Sequence, residues 1–104
     1  MDPEDEKLVT LARASRARTG AAEGAAVRDD TGRTYTAATV ALESLSLSAV
    51  QVAVAAAVSS GVQQLEAAAL VTDGDAVAGD DARVLAELGV NAVIVADLAG
   101  KVRA

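Results

Sequence analysis

The stretch that decides the fold is Val77-Ala78-Gly79-Asp80-Asp81-Ala82-Arg83-Val84-Leu85-Ala86-Glu87-Leu88. It predicts a helix, because Leu85 and Leu88 recur at helical spacing and Asp80 or Asp81 is placed to cap the first turn. Gly89 ends the helix. The flanking segments 65–72 and 90–96 are mostly apolar, as in strands covered on both faces. We therefore expect a strand, a helix and a parallel strand in succession.

A second helix is predicted to begin at Ser48. The segment Ser48-Ala49-Val50-Gln51 has the form of a capping box, in which the Ser and Gln side chains satisfy backbone groups of the first turn. The helix continues to Gly61 and is apolar on nearly every side. A single domain of 104 residues is hardly large enough to cover such a helix on every side. We therefore expect a neighbouring subunit to cover it.

The N-terminal third is predicted to hold a helix and a hairpin. Pro3 follows a capping Asp2 and starts a helix that ends at Gly20. Segments 21–27 and 33–40 are β-prone, and Gly32 in the connection between them suits a tight hairpin turn. The order is helix, two strands, helix, strand, helix, strand. This order favours an α/β layered domain with a mixed sheet, a hairpin followed by parallel strands.

Composition sets the class of protein. The 104 residues fit one domain, 1–104, with a core of Ala, Val and Leu, because Tyr35 is the only aromatic residue. The net charge of -6 opposes binding to nucleic acid and to anionic membranes. The start of the chain has no secretory signal, and the longest apolar stretch is too short to span a membrane. We expect a cytoplasmic protein.

The sequence contains no His and no Cys. These residues supply most zinc ligands, thiolate nucleophiles and imidazole bases in proteins. Only Asp and Glu remain as strong metal ligands, which lowers the expectation of any enzyme. We predict no cofactor and no metal.

Three segments resemble the cytidine deaminase family. Residues 23–27 resemble its V-G-A-A-L strand, residues 48–53 and 57–61 its C-A-E-R-x-A and A-V-S-x-G motifs, and residues 77–88 its P-C-G-x-C-R-Q-V-L-x-E-F segment. The resemblance implies a three-layer α/β/α sandwich of the hydrolase fold. The chain stops soon after Ala96, where family members usually continue, so we expect a fold truncated at the C-terminus.

The resemblance also implies which residues occupy the family's site. The zinc-binding cysteines fall on Ser48, Ala78 and Asp81, and the proton-shuttling glutamate falls on Val50. The ribose-binding Asn and Glu fall on Thr39 and Ala41, and the Phe that stacks on the pyrimidine falls near Ala21. Since the reaction needs both the metal and the glutamate, these vestigial positions predict a lost zinc site and no catalytic residues.

Other polar residues leave two interpretations open. Ser48 is a candidate nucleophile or simply a helix cap, and no base lies near it in the sequence. Four aspartates lie close together in the sequence: Asp73, Asp75, Asp80 and Asp81. They could supply oxygen ligands for a hard cation, or they could simply be helix-start and turn residues. Glu43 is the one carboxylate just before the second helix and the residue to test if a pocket survives there.

The first hypothesis is a catalytically inactive cytidine deaminase-like protein, a pseudoenzyme with a structural or regulatory role. It would act through a homo-oligomer, a dimer or tetramer assembled on the helix that runs from Ser48 to Ser60, or through a protein partner. The alternative is a nucleoside- or nucleotide-binding sensor. A third hypothesis is an enzyme with a rebuilt carboxylate site.

Overall fold

A mixed four-stranded sheet lies between one helix on one face and two helices on the other. The computed structural model describes residues 1–103. The helices are α1 (Pro3–Thr19), α2 (Ala49–Ser59) and α3 (Gly79–Glu87). The strands are β1 (Gly24–Asp29), β2 (Thr34–Ala38), β3 (Val40–Ala41), β4 (Ser46–Leu47), β5 (Leu65–Val71) and β6 (Ile94–Ala96). The main sheet has the order β2-β1-β5-β6, with β5 and β6 parallel and the other pairs antiparallel.

The first helix begins and ends where its sequence signals lie. The Asp2 carboxylate accepts a hydrogen bond from the Glu4 backbone N–H at 2.8 Å, and Pro3 occupies the first turn. Gly20 takes a left-handed conformation, with φ of 66°, and its N–H donates to the Arg16 carbonyl. Both predicted ends of α1 are confirmed.

The hairpin of β1 and β2 is also confirmed, but β1 lies later in the chain than the predicted segment 21–27, and β2 is shorter than the predicted segment 33–40. Val27 pairs with Tyr35, and Gly32 has a φ of 91° in the turn. β1 continues to Asp29 and β2 begins only at Thr34, because the side chain of Asp29 organises the turn between them. Its Oδ1 accepts from the Thr31 N–H, the Thr31 hydroxyl and the Arg33 N–H at 2.7–2.9 Å.

Two apolar clusters lie on opposite faces of the sheet, because successive strand residues point to opposite faces. Ala26, Ala69 and Val71 pack with α1. Ala25, Val27, Ala68 and Leu70 pack with α2 and with Leu85 of α3. The predicted three-layer α/β/α sandwich with a mixed sheet is therefore confirmed.

The contact between α1 and β1 depends on Gly24. A Cβ at this position would lie 2.0 Å from the Ala12 carbonyl oxygen and 2.9 Å from the Arg16 Cβ. The backbone of β1 therefore approaches α1 more closely than any residue with a side chain allows. Small residues on both elements make this thin layer of packing possible.

Two predictions for the second half of the chain need correction, and one element in the first half was not predicted. The last strand covers Ile94–Ala96 rather than residues 90–96. The N-cap of α3 is Ala78 and no side chain caps it, because Asp80 and Asp81 lie within the helix and bond elsewhere. The short ribbon of β3 and β4 was not predicted, since strands of two residues carry no periodic signal.

The segment after β6 turns back along the sheet edge. The Asp97 carboxylate accepts from the Ala99 and Lys101 N–H groups at 3.0 and 2.9 Å, which closes the turn. Val102 then pairs with Ala96 in an antiparallel bridge. No helix among residues 1–103 combines the length and the apolar character that a membrane crossing requires.

Candidate functional site

The N-termini of α2 and α3 meet in one direct hydrogen bond. Ser48 Oγ donates to Asp81 Oδ1 at 2.7 Å. Ser48 is also the N-cap of α2, where its Oγ accepts from the Gln51 N–H at 3.0 Å and the Gln51 side chain accepts from the Ser48 N–H. The capping box is thus confirmed. The Ser48 hydroxyl therefore donates its one proton to Asp81 and accepts one hydrogen bond from the helix backbone.

The other two positions of the implied metal site lie in the same two helix starts. Val50 is in the first turn of α2 and is only 1% exposed. It belongs to the apolar cluster between α2 and the sheet. Ala78 is the N-cap of α3 and is exposed. Asp81 is 4% exposed although it carries a carboxylate. The four residues at the implied zinc and glutamate positions therefore lie at the two helix starts that the bond from Ser48 to Asp81 joins.

The residues at these positions do not fit a zinc ion. A structural or catalytic zinc takes thiolate, imidazole and carboxylate ligands. Ala78 has no donor atom, the Ser48 hydroxyl is neutral, and Asp81 alone offers a carboxylate. Val50 cannot accept or release a proton. These residues therefore lack the set of ligands that would hold a zinc ion and its bound water.

The neighbouring carboxylates point to different partners. Asp80 pairs with Arg83 on the exposed face of α3. The Asp75 carboxylate lies 3.3 Å from the Arg103 guanidinium, and Asp73 is exposed in the same loop. Within residues 1–103, no three Asp, Glu, His or Cys side chains come close enough to hold a metal ion.

Of the two residues at the implied ribose positions, one is hydrogen-bonded to the backbone and the other is exposed. Thr39 follows β2, and its hydroxyl accepts from the Glu23 N–H at 3.0 Å. Ala41 is exposed in β3, and Glu43 is exposed in the turn between β3 and β4. Ala21 is half-buried before β1. The structure brings Thr39 near the start of β1, whereas within residues 1–103 Glu43 forms no hydrogen bond or ion pair with Ser48 or Asp81.

One pair at this edge of the sheet was missed from the sequence. The Thr72 hydroxyl donates to Glu23 Oε2 at 2.5 Å and accepts from the Gly74 N–H at 3.0 Å. Thr72 is buried, directly after β5. The pair forms because β1 and β5 run antiparallel with Gly24 opposite Val71. Predicting that pairing would have placed Glu23 beside Thr72.

The polar groups at the site therefore bond mainly to one another. Ser48 binds Asp81, Thr72 binds Glu23, and Thr39 binds the backbone of Glu23. A buried polar group with a partner is stable, and a ligand gains little by replacing that bond. This arrangement holds the ends of the strands and helices together.

Comparisons with known proteins agree with the fold and the order of the segments. The family model described as cytidine deaminase-like matches residues 1–100. The structure of a cytidine deaminase from Burkholderia pseudomallei has a TM-score of 0.79 and 26% sequence identity, over 99% of this chain and 91% of that chain. A cytidine deaminase from Mycobacterium tuberculosis has a TM-score of 0.75 and 28% identity, over 98% of this chain and 90% of that chain. A search of curated protein sequences finds no match. Since the family model spans nearly the whole chain, the chain belongs to the cytidine deaminase-like family.

Proposed function

We propose that this chain is a catalytically silent member of its family and acts as a structural or regulatory protein through self-association. The single observation that carries the proposal is the hydrogen bond from Ser48 to Asp81 at 2.7 Å. It joins the two helix starts that hold a zinc ion in active relatives, as the resemblance implies. A direct link between side chains takes the place of the metal.

The chemistry of the site supports this proposal. Deamination by this family needs a metal-bound water and a carboxyl group that moves protons. Val50 replaces the proton-moving residue with a buried hydrocarbon side chain. A structural role accounts for Ser48, because its hydroxyl caps α2 by accepting from the Gln51 N–H and supplies the hydrogen bond to Asp81, which is 4% exposed.

The outward surface of α2 supports self-association. The inner face of the helix is buried, but Ala55 and Ala56 are exposed and Val58 is 49% exposed. Leu42 and Leu45, in the turn of the β3 and β4 ribbon, are 63% and 49% exposed. Large apolar side chains left exposed on α2 and on the ribbon that precedes it favour a contact with another protein surface. A second copy of the chain that covers α2 gives a dimer or a tetramer.

A cytidine turnover assay tests the catalytic half of this proposal. The purified chain is incubated with cytidine and added zinc, and uridine is measured. The M. tuberculosis cytidine deaminase, a similar structure, serves as the positive control. We expect no uridine above the rate without protein. Turnover by this chain would contradict the proposal.

A further inference from the structure

A polar groove lies at the opposite end of the domain from the site described above. It has a volume of about 590 Å³ and is bordered by the turn after β1 and the loop after α2. The strand β2 and the helix α2 each have one end at the vestigial site and the other end at this groove. The volume is in the range of small-molecule sites. A ligand in the groove would therefore be separate from the family's nucleoside position.

One wall of the groove holds a buried carboxylate with an available oxygen. Asp29 is 4% exposed, and all three hydrogen bonds that its carboxylate accepts from residues 1–103 end on Oδ1. The Thr31 hydroxyl, followed by the Arg33 and Thr31 N–H groups, lowers the pKa of Asp29, so the group is charged at neutral pH. Oδ2 is left to accept a hydrogen bond from a ligand.

The other walls favour positive charge. Tyr35, the only aromatic residue of the chain, packs partly against the apolar cluster beneath α2 and also lines the groove, and aromatic rings attract ammonium and guanidinium groups. The C-terminal end of α2 borders the groove, with no basic residue in its last turn to offset the negative end of the helix dipole. Asp30 adds a second carboxylate. Arg33 also lines the groove and opposes a cation.

We propose that this groove binds a small organic cation with a guanidinium or primary ammonium group. The charged group lies against Tyr35 and donates to Asp29 Oδ2. Asp30 and the end of α2 add to the attraction, and Arg33 weakens it. Asp29 is the residue on which binding depends most, because its carboxylate is both buried and charged.

Agmatine, which carries a guanidinium and an amine, is the probe for the test. Its binding is followed by the emission of Tyr35, the only Tyr in a chain without Trp, and by amide NMR shifts. We expect saturable binding, with shifts confined to residues 29–35 and 60–64. The neutral analogue 1-butylurea should not bind. No saturable change with millimolar agmatine, or shifts spread over the whole surface, would overturn the proposal.

Two substitutions in the groove should act in opposite directions. Asp29→Asn keeps an oxygen that can accept the bonds of the turn, and it should weaken agmatine binding by about tenfold, equivalent to about 1.4 kcal/mol. Arg33→Gln should tighten it. The charge-matched controls are Asp73→Asn and Arg18→Gln, which change exposed residues outside the groove. Equal effects of groove and control variants would show only attraction to the net charge and would overturn the proposal.

Discussion

Ser48 and Asp81, 33 positions apart in the sequence, share a hydrogen bond of 2.7 Å that joins the first turn of α2 to the first turn of α3. Asp81 is buried, so its carboxylate depends on this donor. Buried charges without partners are strongly unfavourable. The bond therefore links the two helices and also makes the burial of Asp81 possible.

Removing this bond should destabilise the fold. Ser48→Ala loses both the helix cap and the donor to Asp81, and we expect a loss of about 2 to 3 kcal/mol in the free energy of unfolding. The measurement is urea unfolding followed by circular dichroism. Ser60→Ala, at an exposed hydroxyl near the end of the same helix, is the control and should change stability by less than about 0.5 kcal/mol.

A double-mutant cycle isolates the contact between the two side chains. Ser48→Ala, Asp81→Ala and the double variant should give a coupling energy of at least about 1 kcal/mol. The cap contribution of Ser48 cancels in the cycle, because it does not involve Asp81. Additive effects, with no coupling, would mean that the two side chains do not interact in solution.

Gly24 tests the close contact of β1 with α1. Gly24→Ala places a methyl group against the Ala12 carbonyl oxygen of α1. This oxygen belongs to the helix backbone, so it cannot move aside as the end of a flexible side chain can. We expect a loss of about 3 kcal/mol or more, measured by thermal and urea unfolding. Gly74→Ala is the control, because the nearest atom to its added Cβ is 3.5 Å away and it should be tolerated. If both variants are equally stable, the packing of α1 on the sheet is different from that described.

Asp29 should contribute to stability in a pH-dependent way. The Thr31 hydroxyl and the backbone N–H groups lower its pKa in the folded chain below the unfolded value. Its contribution is therefore present above the ordinary Asp pKa of about 3.9 and is lost as pH falls through the lower folded pKa. The stability difference between the wild type and Asp29→Asn should shrink from pH 6 to pH 2.5. Asp30→Asn, in the same turn, is the control. A difference that stays constant over this range would contradict the described turn.

Self-association should depend on the outward face of α2. We expect light scattering to give the mass of a dimer or tetramer at micromolar concentration. Val58→Glu should shift the protein toward monomer, because it places a charge in an apolar contact. The control Ser59→Glu changes the adjoining exposed residue, a polar one. A monomeric wild type would contradict the assembly.

Nucleosides should not stabilise the chain. Thr39 bonds to Glu23, and Ala21 offers no ring for a base. Cytidine, uridine and their nucleotides should leave the melting temperature unchanged, since only a ligand that binds the folded state raises it. A concentration-dependent rise would favour the nucleoside-sensor hypothesis instead.

The sequence predicted the features that local chemistry determines. Asp2, Pro3 and Gly20 defined α1, and Ser48 with Gln51 defined the start of α2, because caps and turns act over a few residues. The partners of Asp80 and Asp81 were wrong, since a helix-start aspartate can bond to its own backbone or to another element. Contacts across the fold, such as those from Ser48 to Asp81 and from Thr72 to Glu23, depend on how strands and helices meet. Local sequence patterns do not reveal how these elements are arranged in space.

Metal analysis of the purified, untagged protein tests the central claim most directly. The claim is that a hydrogen bond between two side chains has replaced zinc at the junction of α2 and α3. After dialysis against zinc followed by buffer exchange, we expect no zinc above the background of the buffer. One zinc per chain, lost together with fold stability in Asp81→Ala, would contradict the account.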